Sequence, residues 1–81
     1  MIRKLKVVGK HSIPGRGLIF VIIPREYKDP VFKNGQWVAA EDKVWEIRGI
    51  EMFAVNYAGF IPPFIGLLVR EINPEKAIGN D

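Results

Sequence analysis

Apolar residues along this chain fall into short runs separated by polar turns, with no long stretch of helical spacing. Leu5 and Val7 alternate with Lys4 and Lys6, which predicts a half-buried strand over residues 3–9 with a lysine-bearing outer face. Gly9 and Lys10 are expected to loosen that strand. Pro14-Gly15-Arg16-Gly17 then reads as a tight turn, because proline presets φ and glycine accepts positive φ. The turn feeds Leu18–Ile23, six consecutive apolar residues that are mostly β-branched or aromatic, so a strand covered on both faces is predicted.

Pro24 ends that strand, and residues 25–30 read as a surface loop. Val31-Phe32 resumes an extended path, Asn34-Gly35 carries a hairpin signal, and residues 36–40 form a short strand. Glu41-Asp42-Lys43 is a second polar turn. From Val44 onward, Trp45 and Ile47 share one face while Glu46 and Arg48 share the other. The phase changes at Gly49, after which Ile50 and Met52 are the apolar alternates. A bulge at Arg48-Gly49 would keep both inward and turn Glu51 outward, sparing an unpaired carboxylate from burial. Asn56–Gly59 reads as a turn, Phe60–Pro63 as extended chain and Phe64–Ile72 as a long apolar strand. Asn73-Pro74-Glu75 has the form of a short helix start.

Five or six strands with regularly placed turns predict one all-β domain over residues 1–81. Its expected form is a small closed or nearly closed antiparallel β-barrel of six to seven strands, of Greek-key type. The 81 residues lie near the lower size limit for a domain without covalent or metal staples, and 48% hydrophobic content makes a core feasible. Without cysteine there is no disulfide framework and no thiolate zinc site. No run is long enough for a membrane-spanning helix and no signal-peptide core is present, so a soluble, cytoplasmic protein is expected.

The net charge of +3 conceals an asymmetry. Residues 1–33 carry eight basic and two acidic residues, whereas residues 34–81 carry four basic and seven acidic. A basic half can meet a polyanion such as RNA, or can simply be a solvated face.

Catalytic signals are weak. His11 is the only histidine and Ser12 the only hydroxyl residue of the serine–threonine type. Adjacent residues of an extended strand point to opposite faces, so the two make a poor nucleophile–base pair. Gly15-Arg16-Gly17 lacks the third glycine and the helix of a dinucleotide fingerprint, and there is no phosphate-binding loop. The carboxylates are scattered or adjacent, with no metal-ligand or glycosidase spacing. The expectation is a protein that is not an enzyme and has no cofactor or metal. Phe20, Phe32, Trp37, Trp45, Phe53, Tyr57, Phe60 and Phe64 are the aromatics available to stack on bases, although a barrel this small needs most of them as core.

Four segments in order carry a family resemblance: Ser12-Ile13-Pro14-Gly15-Arg16-Gly17, Val31-Phe32-Lys33-Asn34-Gly35, Ile47-Arg48-Gly49-Ile50-Glu51-Met52-Phe53, and Ile65-Gly66-Leu67-Leu68-Val69-Arg70-Glu71-Ile72. Over roughly residues 5–76 the chain resembles the second-domain β-barrel of translational GTPases, most closely the elongation factor Tu group. The resemblance implies a barrel that packs on a GTPase domain and helps hold the aminoacylated end of tRNA. It matches His11, Ile13 and Glu51 to the terminal-adenosine pocket. Glu51 would accept a ribose hydroxyl or a base donor, and His11 or Ile13 would pack on adenine. Arg16 is either a corner residue paired with a carboxylate or carbonyl, or a ligand anchor. Lys4, Lys6 and Lys10 of the basic half are candidate phosphate contacts.

The chain departs from the family at Ala54, at Pro62-Pro63 and at Glu71, lacks the family's last strand, and contains no GTPase domain. The expected function is therefore a free-standing binding module for RNA, the ribosome or a translation component. The alternative is a protein-interaction or assembly module that offers an open sheet edge to a protein partner or a second copy.

Overall fold

In the computed structural model, residues 2–52 and 63–73 are described, together with the backbone but not the side chain of Met52. They form six strands: β1 (Arg3–Lys4), β2 (Gly9–Ile13), β3 (Gly17–Ile22), β4 (Trp37–Ala40), β5 (Lys43–Met52) and β6 (Ile65–Ile72). The strands build one sheet in the order β1-β4-β5-β6-β3-β2. Among the described residues there is no α-helix, only a 3-10 turn at Pro24–Glu26, and no helix long and apolar enough to cross a membrane. The turn at residues 56–59, most of the extended stretch before Phe64 and the helix start after Asn73 lie outside the described residues.

The sheet is mixed rather than purely antiparallel. Its pairings are antiparallel except that β1 runs parallel to β4. Four antiparallel steps lead from β4 through β5, β6 and β3 to β2, so β4 and β2 point the same way. Because β1 runs on into β2, it must lie parallel to β4. The ladder ends at β1 on one side and β2 on the other, so hydrogen bonds do not close it into a ring.

The main core cluster lies on one face of this sheet, while Ile19 is buried on the other. Phe20, Ile22, Val38, Ile47 and Leu67 are fully buried in that cluster, joined by Phe32, Trp45, Ile65 and Val69. Trp45 meets Phe20 edge to face at 4.9 Å, and its indole N–H donates to the Ala40 carbonyl at 3.0 Å, which satisfies the one polar group on a buried indole. The expected bulge is present. The β5–β6 register shifts between Ile47 and Gly49, leaving Arg48 as the extra residue. Ile50 then faces Leu67 and packs on the core, while Glu51 faces Gly66 on the opposite side.

The turns follow local chemistry. The Arg16 N–H donates to the Ile13 carbonyl at 3.0 Å, and Gly15 and Gly17 take φ of 78° and 122°, values that strain any other residue. Gly9 and Lys10 do not loosen the chain but begin β2. Asn34-Gly35 forms its turn without making a hairpin between residues 31–33 and β4. Instead the Gly35 N–H donates to the Ile47 carbonyl at 2.7 Å, and the Ile47 N–H donates to the Gln36 carbonyl at 2.9 Å, so the turn docks on β5. The β4–β5 hairpin closes through Glu41 and Asp42, both at positive φ (55° and 62°).

The N-terminal segment is held by the loop after β3. The strand expected over residues 3–9 is confined to Arg3–Lys4, with Gly9 already in β2, yet Leu5 and Val7 are half-buried against the core while Lys4 and Lys6 are exposed, as their alternation predicts. The Arg3 guanidinium donates to the carbonyls of Asp29 and Val31 and sits 4.1 Å from the centre of the Phe32 ring. Tyr27 stacks edge-on against Phe32 at 5.3 Å, and its hydroxyl accepts the Lys6 N–H at 2.8 Å. Residues 2–8 and 24–32 therefore form one packed corner.

Candidate nucleic-acid interface

The outer face of the sheet carries the residues matched to the adenosine pocket. His11 and Ile13 project from β2, opposite Ile19 and Gly17 of β3. Glu51 projects from β5, in a row that runs through Gly66 of β6 and Val21 of β3 to Gly9 of β2. His11 and Glu51 are thus three strand spacings and two residues out of line, roughly 16 Å apart. They lie on the same face without touching, and neither points into the main core cluster, while Ile19 and Gly66 between them are buried. Between them, Ile19 and Leu68 lie opposite one another on β3 and β6.

Arg16 is brought to Glu51. Its Nη2 donates to Glu51 Oε2 at 2.9 Å, with both side chains partly exposed. Of the two readings open for Arg16, the corner residue paired with a carboxylate describes this geometry, and the Glu51 carboxylate carries a cation as its neighbour. His11 and Ser12 occupy successive positions of β2, and both are exposed. Among the described residues no group of three or more histidine, aspartate or glutamate side chains could hold a metal ion.

The candidate lysines separate. Lys10 Nζ lies 2.7 Å from Glu41 and spans from β2 to the β4–β5 turn. Lys6 Nζ lies 3.8 Å from Glu26. Lys4 has no carboxylate within salt-bridge distance among the described residues, and the same holds for Arg25, Lys28 and Lys33. The packed corner therefore carries Arg3, Lys4, Lys6, Arg25 and Lys28 with Glu26 and Asp29, and Lys4 also borders Glu41 and Asp42 of the β4–β5 turn. Arg25 and Lys28 were visible in the sequence only as part of a basic half. Their meeting with Lys4 and Lys6 depends on Arg3 and Tyr27 pinning two distant segments together.

The aromatics divide as well. Phe20, Phe32 and Trp45 are core, Phe53, Tyr57 and Phe60 lie outside the described residues, and Phe64 is exposed at the head of β6. Trp37 is half-buried on the outer face, opposite Glu46. Comparison with protein-family models, with curated proteins and with solved structures finds no match to this chain.

Proposed function

We propose that the protein is a cytoplasmic, non-catalytic RNA-associated module, a β-barrel of the kind that forms the second domain of translational GTPases. The observation that carries the RNA reading is the basic corner, where residues 3–6 and 24–32 bring together five cations, with Lys33 in the turn that follows. Lys4, Arg25 and Lys28 of the corner, and Lys33 beyond it, have no carboxylate within salt-bridge distance among the described residues and are available to phosphates. Contacts of this kind bind through counterion release, so affinity falls as salt rises. Support for the closed form comes from the N-terminal segment. The Leu5 N–H donates to Ala39 of β4 and the Val8 N–H to Val21 of β3, both at 2.8 Å, so a single bent segment reaches both ends of the sheet.

The test is binding of tRNA and ribosomal RNA fragments at two salt concentrations. Binding at low salt that weakens at high salt, and weakens further in a Lys4→Gln, Arg25→Gln, Lys28→Gln variant, is expected. No binding at low salt overturns the reading.

The outer edge of β2 favours a second reading, since it pairs with no strand among the described residues. A module that offers this edge to a protein partner or a second copy would use backbone hydrogen bonding. Sedimentation that gives a strict monomer at every concentration counts against the dimer.

A further inference from the structure

We propose that the outer face of β4, β5 and β6 is a stacking site for single-stranded RNA, with Trp37 as the platform and Arg48 and Arg70 as its phosphate contacts. The site presupposes RNA binding as proposed above and names the form of RNA it takes.

The two tryptophans provide the first argument. Trp45 is buried, packs on Phe20 and has its indole N–H bonded to Ala40. Trp37 is half-buried on the opposite face, outside the core cluster, and its indole N–H has no partner among the described residues. A large aromatic left on the polar side of a strand offers a flat surface, and bases of any identity stack on such a surface.

Charge provides the second. Trp37 lies in register with Glu46, which lies in register with Arg70. Arg70 Nη2 and Arg48 Nη1 both donate to the same Glu46 oxygen, at 2.9 Å and 3.4 Å. One carboxylate shared by two guanidiniums leaves a net positive charge, and it holds both forks on the face that carries the indole. Two strand spacings separate Trp37 from Arg70, roughly 10 Å, within reach of a base and its neighbouring phosphates. Lys33 lies in the turn that enters β4, where the Gln36 N–H donates to its carbonyl at 3.2 Å, and it connects this face to the basic corner. A duplex keeps its bases stacked inside and cannot use the indole, whereas a single strand can.

Anisotropy titrations with a labelled oligouridylate and with duplex RNA of equal length decide the matter, using wild type, Trp37→Ala and Trp37→Phe. Circular dichroism and thermal melts confirm that each variant is folded. The expected result is a roughly tenfold loss of oligouridylate affinity in Trp37→Ala, a smaller loss in Trp37→Phe and unchanged duplex affinity. Arg70→Gln lowers the salt dependence of oligouridylate binding, whereas Trp37→Phe leaves that dependence as it is. If Trp37→Ala binds oligouridylate as wild type does, the stacking site is overturned while RNA binding stands. If wild type binds neither RNA at low salt, both the site and the broader function are overturned.

Discussion

Arg16 and Glu51 are joined at 2.9 Å although they are separated by 35 positions in the chain, one in the turn between β2 and β3 and the other on β5. The pair spans the strand between them and ties the Gly-Arg-Gly corner to the outer face. Both side chains remain in contact with solvent, so the attraction is screened. Glu51→Gln is expected to lower stability by less than about 1 kcal/mol in urea unfolding, with a smaller effect at high salt. A loss above about 2 kcal/mol would mean that the pair organises the corner rather than decorating it.

Ile47 is fully buried at the centre of the core, immediately before the bulge. Ile47→Val should cost about 1 kcal/mol and Ile47→Ala about 2–5 kcal/mol, the difference reflecting how little the neighbouring strands can collapse. Equal, small losses in denaturant titrations would contradict a tightly packed site.

Arg3 contacts two carbonyls and a ring face at once. Arg3→Ala should destabilise the protein by about 2 kcal/mol, and Arg3→Lys should recover little, because an ammonium cannot fork to two acceptors while covering Phe32. The same variants should expose residues 2–8 to faster amide hydrogen exchange. Full rescue by lysine would show that charge alone holds the segment.

Asp42 sits at φ 62° in the β4–β5 turn, beside Glu41 at 55°. Two consecutive positive φ values are the geometry for which glycine or asparagine is favoured. Asp42→Gly should raise stability by about 0.5 kcal/mol, and Asp42→Val should lower it by about 1 kcal/mol or more. Thermal melts of the two variants that shift in the same direction would refute the turn geometry.

The positions of β3 to β6 could be read from residues with local preferences, whereas the N-terminal strands could not. Leu18–Ile23 and Ile65–Ile72 are rich in β-branched and aliphatic side chains, and proline or glycine bounds most runs. The bulge was also legible, because the apolar phase in β5 breaks at Gly49 and a carboxylate would otherwise fall inward. Glu51 on the outer face follows from that break alone. Its partner Arg16 could not be singled out, since any of several carboxylates or carbonyls would have served. The Asn34-Gly35 signal marked a turn correctly, but its docking on Ile47 was beyond local information. Alternation in β5 placed Trp45 on the apolar face with Ile47, but Trp37-Val38-Ala39-Ala40 offers apolar residues in both phases, so it could not say which way Trp37 faces.

By itself the sequence determined that the described residues are all-β, where they turn, where β5 slips by a residue, and that the basic residues crowd the first half of the chain. Each of these is a property of neighbours within a few positions. Tertiary structure alone decided the strand order, the parallel pairing of β1 with β4, the meeting of residues 3–6 with 24–32, and the placement of Trp37 on the same face as Arg48 and Arg70. These depend on backbone hydrogen bonds and packing between segments far apart in the chain. A strand's alternation defines two faces, but only the partners it pairs with decide which face is buried and which cations share a surface.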